Sequence, residues 1–78
     1  MLLFNKLERI ERMNKLIHKK ATGRPGEFAR RLSISERQLY NILDELKLSG
    51  FPIAYCKIEQ SYYYHEDFEF PINLNFKN

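Results

Sequence analysis

Apolar residues recur at spacings of three and four along the first half of the chain and at a spacing of two along the second. Leu3, Leu7, Ile10, Met13 and Ile17 fall on one stripe of a helix predicted over residues 3–19. Asn14 lies beside that stripe and needs a hydrogen-bond partner if it is buried. The opposite face is wet, with Glu8, Arg12, Lys15 and Lys19, and Glu8–Arg12 and Glu11–Lys15 are spaced to pair across one turn. Lys19 and Lys20 stand where the helix dipole is negative and favour an end there. Ala21-Thr22-Gly23-Arg24 reads as a connector. Pro25 then opens a second helix over residues 25–32, because a first-turn N–H has no partner to lose. Glu27 suits the dipole of that turn, and Phe28, Ala29 and Leu32 face inward.

Ser33-Ile34-Ser35 interrupts the pattern. Ser35, with Gln38 three residues on, forms a capping box and starts a third helix that runs to about Leu48. Its inner stripe is Leu39, Ile42, Leu43 and Leu46; its outer face is Arg37, Tyr40, Asn41 and Asp44, with Gln38 at the edge. Gly50 can take the left-handed conformation that stops a helix, and Pro52 prevents a restart. From there the period is two. Ile53/Tyr55 and Tyr62/Tyr64 mark strands over residues 51–57 and 61–65, turned at Ile58-Glu59-Gln60. A two-stranded hairpin is marginal alone, so it must pack on the helices, with Tyr62 and Tyr64 facing them. Phe68, Phe70, Ile72, Leu74 and Phe76 then alternate with Glu69, Pro71, Asn73 and Asn75, and Pro71 favours an edge position for that segment. The expected class is α+β: a three-helix core containing a helix-turn-helix, followed by a β-hairpin. Residues 1–67 form one domain and residues 68–78 an alternating tail.

Composition agrees with this organisation. The chain has 78 residues, 44% apolar and 29% charged, which suits one globular domain and leaves no room for a second core. A chain this short hides only about 60% of its unfolded surface, so a partner or second copy would help it. No apolar run approaches the roughly 20 residues that cross a bilayer. The charged start at Lys6, Glu8 and Arg9 is not a signal peptide, and the single Cys56 suits a reducing cytosol. A cytoplasmic protein without a membrane partner is expected. The net charge of +3 is unevenly placed: residues 1–31 carry nine Lys/Arg against three Glu (+6), and residues 32–78 carry four against seven acidic residues (−3). That polarity points to an anionic partner, most commonly nucleic acid, although a solvated lysine-rich helix face has the same composition.

Residues 27–43 carry the informative constellation. A short helix, a three-residue turn and a capped second helix make a helix-turn-helix. Small Ala29 lets the helices approach, Ile34 plugs the turn, and Leu39 and Leu43 anchor the second helix. Its N-terminal outer face is left free to enter a major groove. The run Ala29-x-x-Leu32-x-Ile34-Ser35-x-Arg37-x-Leu39-Tyr40-x-x-Leu43-x-x-Leu46, followed by Leu48-Ser49-Gly50-Phe51-Pro52-Ile53, resembles the winged helix-turn-helix of DeoR-type bacterial transcription regulators. The resemblance spans roughly residues 7 to 65, and the Gly-x-Pro-Ile leading into the hairpin sharpens it. It implies a winged helix that binds DNA through the third helix and regulates transcription. Compared with the family, Glu36, Asp44 and Glu45 make this helix more acidic, which weakens attraction to phosphates, although Asp44 can pair with Lys47. No ligand-sensing or catalytic domain follows, so the regulatory half usual in such proteins would be missing or on another chain.

Arg37, Gln38 and Asn41 have base-reading chemistry: arginine grips guanine O6/N7, and glutamine or asparagine grips adenine N6/N7. Ser35, Tyr40, Arg30, Arg31 and Lys57 are expected to position the phosphate backbone, with one of the two adjacent arginines reaching it and the other facing solvent. Tyr40 can equally close the junction between helix and wing. Gln60, beside Lys57, is a further candidate for the minor groove or a phosphate, whereas Lys15, Lys19 and Lys20 read as a solvated face. Tyr62, Tyr63 and Tyr64 could stack on bases, but their alternation assigns them mainly to packing. Cys56 reads as a small half-buried hydrophobe, and His18, His65 and Cys56 lack metal-ligand spacing. Without a phosphate loop or nucleophile motif, no enzyme, cofactor or small-molecule substrate is expected. The tail is too apolar to leave wet, so burial in a homodimer is expected over packing within one chain, with half-sites about 34 Å apart on DNA. The rival reading is a protein-interaction or assembly module on the same fold, favoured by the acidic third helix and the tail.

Overall fold

The computed structural model describes residues 6–69. The elements run α1 (Lys6–His18), α2 (Pro25–Arg31), α3 (Glu36–Leu48), β1 (Ile53–Cys56) and β2 (Ser61–Tyr64). The architecture is α+β, three helices followed by a two-stranded antiparallel hairpin. One core joins them: Met13 and Ile17 from α1, Phe28 and Ala29 from α2, Leu32 just beyond it, Leu39, Leu43 and Leu46 from α3, and Ile53 and Tyr62 from the hairpin. No described helix is long and apolar enough to cross a membrane.

The inward stripes of α2 and α3 are those the 3.6-residue period predicts; α1 differs at one end. Leu7, expected inside, is 38% exposed, while Leu16, off the expected stripe, packs against the core. The hairpin meets α1 further along, where the Tyr64 hydroxyl donates to Asn14 Oδ1 at 2.8 Å and the Tyr64 ring stands edge-on to His18. Among the described residues the first turn of α1 therefore has less to pack against. Leu3 lies outside the described residues.

All three helices end in the same way. In each, the residue after the cap is left-handed: Lys20 (φ 55°), Ser33 (φ 62°) and Gly50 (φ 106°). The next N–H reaches back five residues to a carbonyl: Ala21 to Leu16 at 2.9 Å, Ile34 to Ala29 at 3.0 Å and Phe51 to Leu46 at 3.0 Å. This is the Schellman closure, and the residue pairs it joins are apolar each time. It explains why α1 stops at His18 and α2 at Arg31, each one residue short of the predicted end.

The same closure shortens the first strand. The Phe51 N–H is used in capping α3, and Pro52 has none, so pairing starts at Ile53 rather than at residue 51. Ile53 opposes Tyr64 and Tyr55 opposes Tyr62, so these four share one face of the hairpin, as the alternation predicts. The turn takes residues 57–60, one more than expected, with Gln60 left-handed (φ 55°) and the Glu59 N–H donating to Cys56 Sγ at 3.4 Å. The expected strand end at His65 survives as one ladder bond, its N–H donating to the Pro52 carbonyl at 2.9 Å.

Two side chains far apart in sequence fasten the hairpin to the α1–α2 connector. Thr22 and Ser61 are fully buried, 0% and 1% exposed. The Thr22 N–H donates to Ser61 Oγ at 3.1 Å, the two hydroxyls lie 3.0 Å apart, and the Tyr62 N–H donates to Thr22 Oγ1 at 2.9 Å. Thr22 thus covers the outer edge of β2, which would otherwise leave buried backbone groups unpaired. Gly23 beside it must be left-handed (φ 77°), and a Cβ there would collide with the carboxylate of Glu27, which accepts from the Arg24 N–H at 2.9 Å.

Candidate nucleic-acid interface

The candidate surface is built on α3. Ser35 caps it as predicted: the Gln38 N–H donates to Ser35 Oγ at 3.1 Å, and the Ser35 N–H donates to Gln38 Oε1 at 3.0 Å. With Leu39, Leu43 and Leu46 buried, the opposite stripe faces outward. That stripe holds Arg37, Asn41, Asp44 and, at its far end, Leu48, which is 88% exposed. Arg37 and Asn41 stand one turn apart and have no hydrogen-bond or ion-pair partner among the described residues.

The other expected contacts divide. Arg30 and Arg31 on α2 and Lys57 in the hairpin turn are all exposed, and none is ion-paired among the described residues. Glu27 shares a shallow concavity with Arg30 and Arg31 and tempers their field. Tyr40, 45% exposed, directs its hydroxyl toward Glu36 Oε1 at 3.5 Å. It also lies near the hairpin. The Tyr62 hydroxyl is pushed up to about 12, first by burial and then by neighbouring Tyr40, Tyr55 and Glu36. Tyr40 therefore sits at the helix–hairpin junction while keeping half its surface open. Gln60 is exposed beside Lys57.

The acidic residues of α3 are less opposed to an anionic ligand than their number implies. Glu36 is turned aside: its carboxylate neighbours Tyr40 and stands 3.0 Å from where a Cβ on Gly26 of α2 would be. Glu45 lines an apolar-floored groove of about 270 Å³ with Lys6, Arg9, Ile10, Ile42 and Leu46, on the side toward α1. Only Asp44 lies on the outer stripe itself.

Away from α3, the aromatic residues pack, as the alternation predicts. Tyr55 and Tyr62 meet at 4.9 Å between ring centroids, and Phe28 and Tyr62 at 5.6 Å. Tyr63, on the other face, lies under the Lys20 ammonium at 5.9 Å. Phe68, the first residue of the alternating tail, packs against Phe51 at 4.6 Å and Tyr64 at 4.9 Å; residues 70–78 lie outside the described part. Among the described residues no group of three or more His, Cys, Asp and Glu side chains is placed to hold a metal ion. Sequence reasoning missed the Thr22–Ser61 link that steadies the hairpin, and it missed the exposure of Ile58, 93% at the hairpin turn, and of Leu48. No local signal marks the first, because its partners are 39 positions apart. No family model, curated protein or solved structure matches this chain.

Proposed function

We propose that this chain is a winged helix-turn-helix of the DeoR-like kind, which binds double-stranded DNA in the cytoplasm and regulates transcription, with α3 in the major groove and the hairpin as the wing. One observation carries the reading: the outer stripe of α3 presents Arg37 and Asn41 without partners among the described residues, and the elements on either side of it in the chain add exposed cations, Arg30 and Arg31 on α2 and Lys57 on the hairpin. Base edges in the major groove are read by such side chains, and affinity comes from cations on phosphates. The capped start of α3 adds backbone N–H groups and a favourable dipole for a phosphate. In this reading the chain acts as a homodimer, which sets two copies of α3 about 34 Å apart on one duplex.

A salt titration of binding to a random duplex tests it. The logarithm of affinity should fall linearly with the logarithm of salt, by about 0.9 for each phosphate neutralised. Lys57→Ala or Arg30→Ala should reduce that slope by about one contact. Absence of binding at low salt would sink the proposal.

Leu48 and Ile58, the two most exposed large apolar side chains described, favour the second reading, a protein-interaction module. Substituting both by Ser separates the two: DNA affinity is kept under the first reading, and partner capture is lost under the second.

A further inference from the structure

We infer that Gln38 reads no base, and that Arg37 and Asn41 alone form a two-base reader for a guanine and an adenine about two base steps apart. The inference rests on the DNA-binding reading above and deepens it.

By residue type, Arg37, Gln38, Tyr40 and Asn41 could all contact bases or backbone, but the geometry separates them. Bidentate reading of adenine needs both ends of a side-chain amide turned outward, the oxygen to accept from N6 and the nitrogen to donate to N7. The Gln38 oxygen is turned the other way. It accepts from the Ser35 N–H at 3.0 Å and lies 3.4 Å from the Ser35 hydroxyl, which in turn receives the Gln38 N–H. Gln38 cannot hold the helix start and grip adenine at once. Tyr40 turns its hydroxyl toward Glu36, one turn back on the same helix, at 3.5 Å. Arg37 and Asn41 remain, exposed and without partners among the described residues, on one stripe.

Their separation fits two bases. Four residues of α-helix rise about 6 Å, and successive bases on a strand stand about 3.4 Å apart. Asp44, one turn further along the stripe, repels phosphates. It thereby favours the N-terminal half of α3 as the part that enters the groove, as in other helix-turn-helix complexes. Gln38 is a positioning residue in this scheme: it fixes the first turn from which Arg37 projects.

The test selects duplexes from a randomised library with the full chain, then measures affinity for every single-base variant by fluorescence anisotropy. Two positions should discriminate by about fivefold to 150-fold, one for guanine and one for adenine. Arg37→Ala should flatten the first and Asn41→Ala the second, with melting temperatures unchanged. Gln38→Glu keeps the cap, because a carboxylate also accepts from the Ser35 N–H, but it cannot read adenine. It should weaken binding to all sequences alike and leave both preferences in place. A preference that shifts in Gln38→Glu, toward cytosine for example, would overturn the assignment, as would preferences that survive both alanine variants. Equal affinity for all duplexes would overturn the reader while leaving non-specific DNA binding intact. No binding to any duplex at low salt would overturn the underlying reading as well.

Discussion

Thr22 and Ser61 are ordinary surface residue types, yet both are buried, and each satisfies the other. Thr22→Val keeps the shape and removes the hydroxyl, stranding the Tyr62 N–H inside the protein, while Ser61 Oγ keeps the Thr22 N–H and the Tyr62 carbonyl as partners. A buried group left unpaired costs about 1–3 kcal/mol. We expect a loss of that size in urea unfolding, with the slope against urea unchanged, and near-complete recovery in Thr22→Ser. The Tyr64–Asn14 contact is half-buried and should matter less: Tyr64→Phe should cost about 1 kcal/mol. The same tyrosines set the alkaline limit. Burial pushes the hydroxyls of Tyr62 and Tyr64 up to about 12 from the ordinary 10. Between those values the unfolded chain has released protons that the folded chain still holds, so stability falls as pH rises. It should be intact below pH 10, decline from 10 towards 12, and level off above. Absorbance at the phenolate band should report ionisation of these two rings together with unfolding. If all five tyrosines titrate smoothly without loss of helix signal, the buried placement of Tyr62 and Tyr64 is wrong.

Helix boundaries were legible wherever the stop or start is chemically local. Ser35 with Gln38, Pro25, and Gly50 before Pro52 each announce an end through their own side chain or its lack, and the structure uses them so. The closures at Lys20 and Ser33 were not legible, because neither residue favours a left-handed backbone. At both, the five-residue hydrogen bond goes with it, and at Ser33 the packing of Ile34 on the core adds a tertiary demand that residue type does not reveal. Two predictions test this asymmetry. Ser35→Ala should lower stability by about 1 kcal/mol through loss of the cap. Ser33→Gly should raise it by about 0.5–1 kcal/mol, since glycine accepts φ 62° without the Cβ penalty. A destabilised Ser33→Gly protein would mean that the side chain has a role beyond tolerating the turn. For the candidate site the lesson is similar. The outer stripe of α3 follows from periodicity, so Arg37 and Asn41 were legible. The capping box and the base-reading chemistry of Gln38 were both legible too, and only geometry shows that one side chain is being asked to do two things.

At the scale of the molecule, the domain is small and its charge is split between halves, so the arrangement of copies decides how tightly it could hold DNA. A single copy offers few phosphate contacts; two copies on one duplex double them. Residues 70–78 carry Phe70, Ile72, Leu74 and Phe76 in strict alternation with Pro71 and asparagines. A stable interface buries about 1,200–2,000 Å², and each aromatic ring can contribute about 150–250 Å², so removing this segment is a direct test of whether it joins two copies. Phe68 already belongs to the packed domain through Phe51 and Tyr64, and removing it would confuse a lost interface with a damaged fold. The informative truncation therefore ends at Glu69. We expect the full chain to sediment at twice the monomer mass and the 1–69 chain as a monomer with the same helical circular dichroism. The truncated chain should bind a duplex with one half-site about as well as the full chain does. It should lose the added affinity that a second half-site, one helical turn away, gives the dimer. An unchanged mass after truncation would place the dimer contact elsewhere. A full-length monomer would leave the alternating tail to cover its own domain, and the two-half-site arrangement would fall with it.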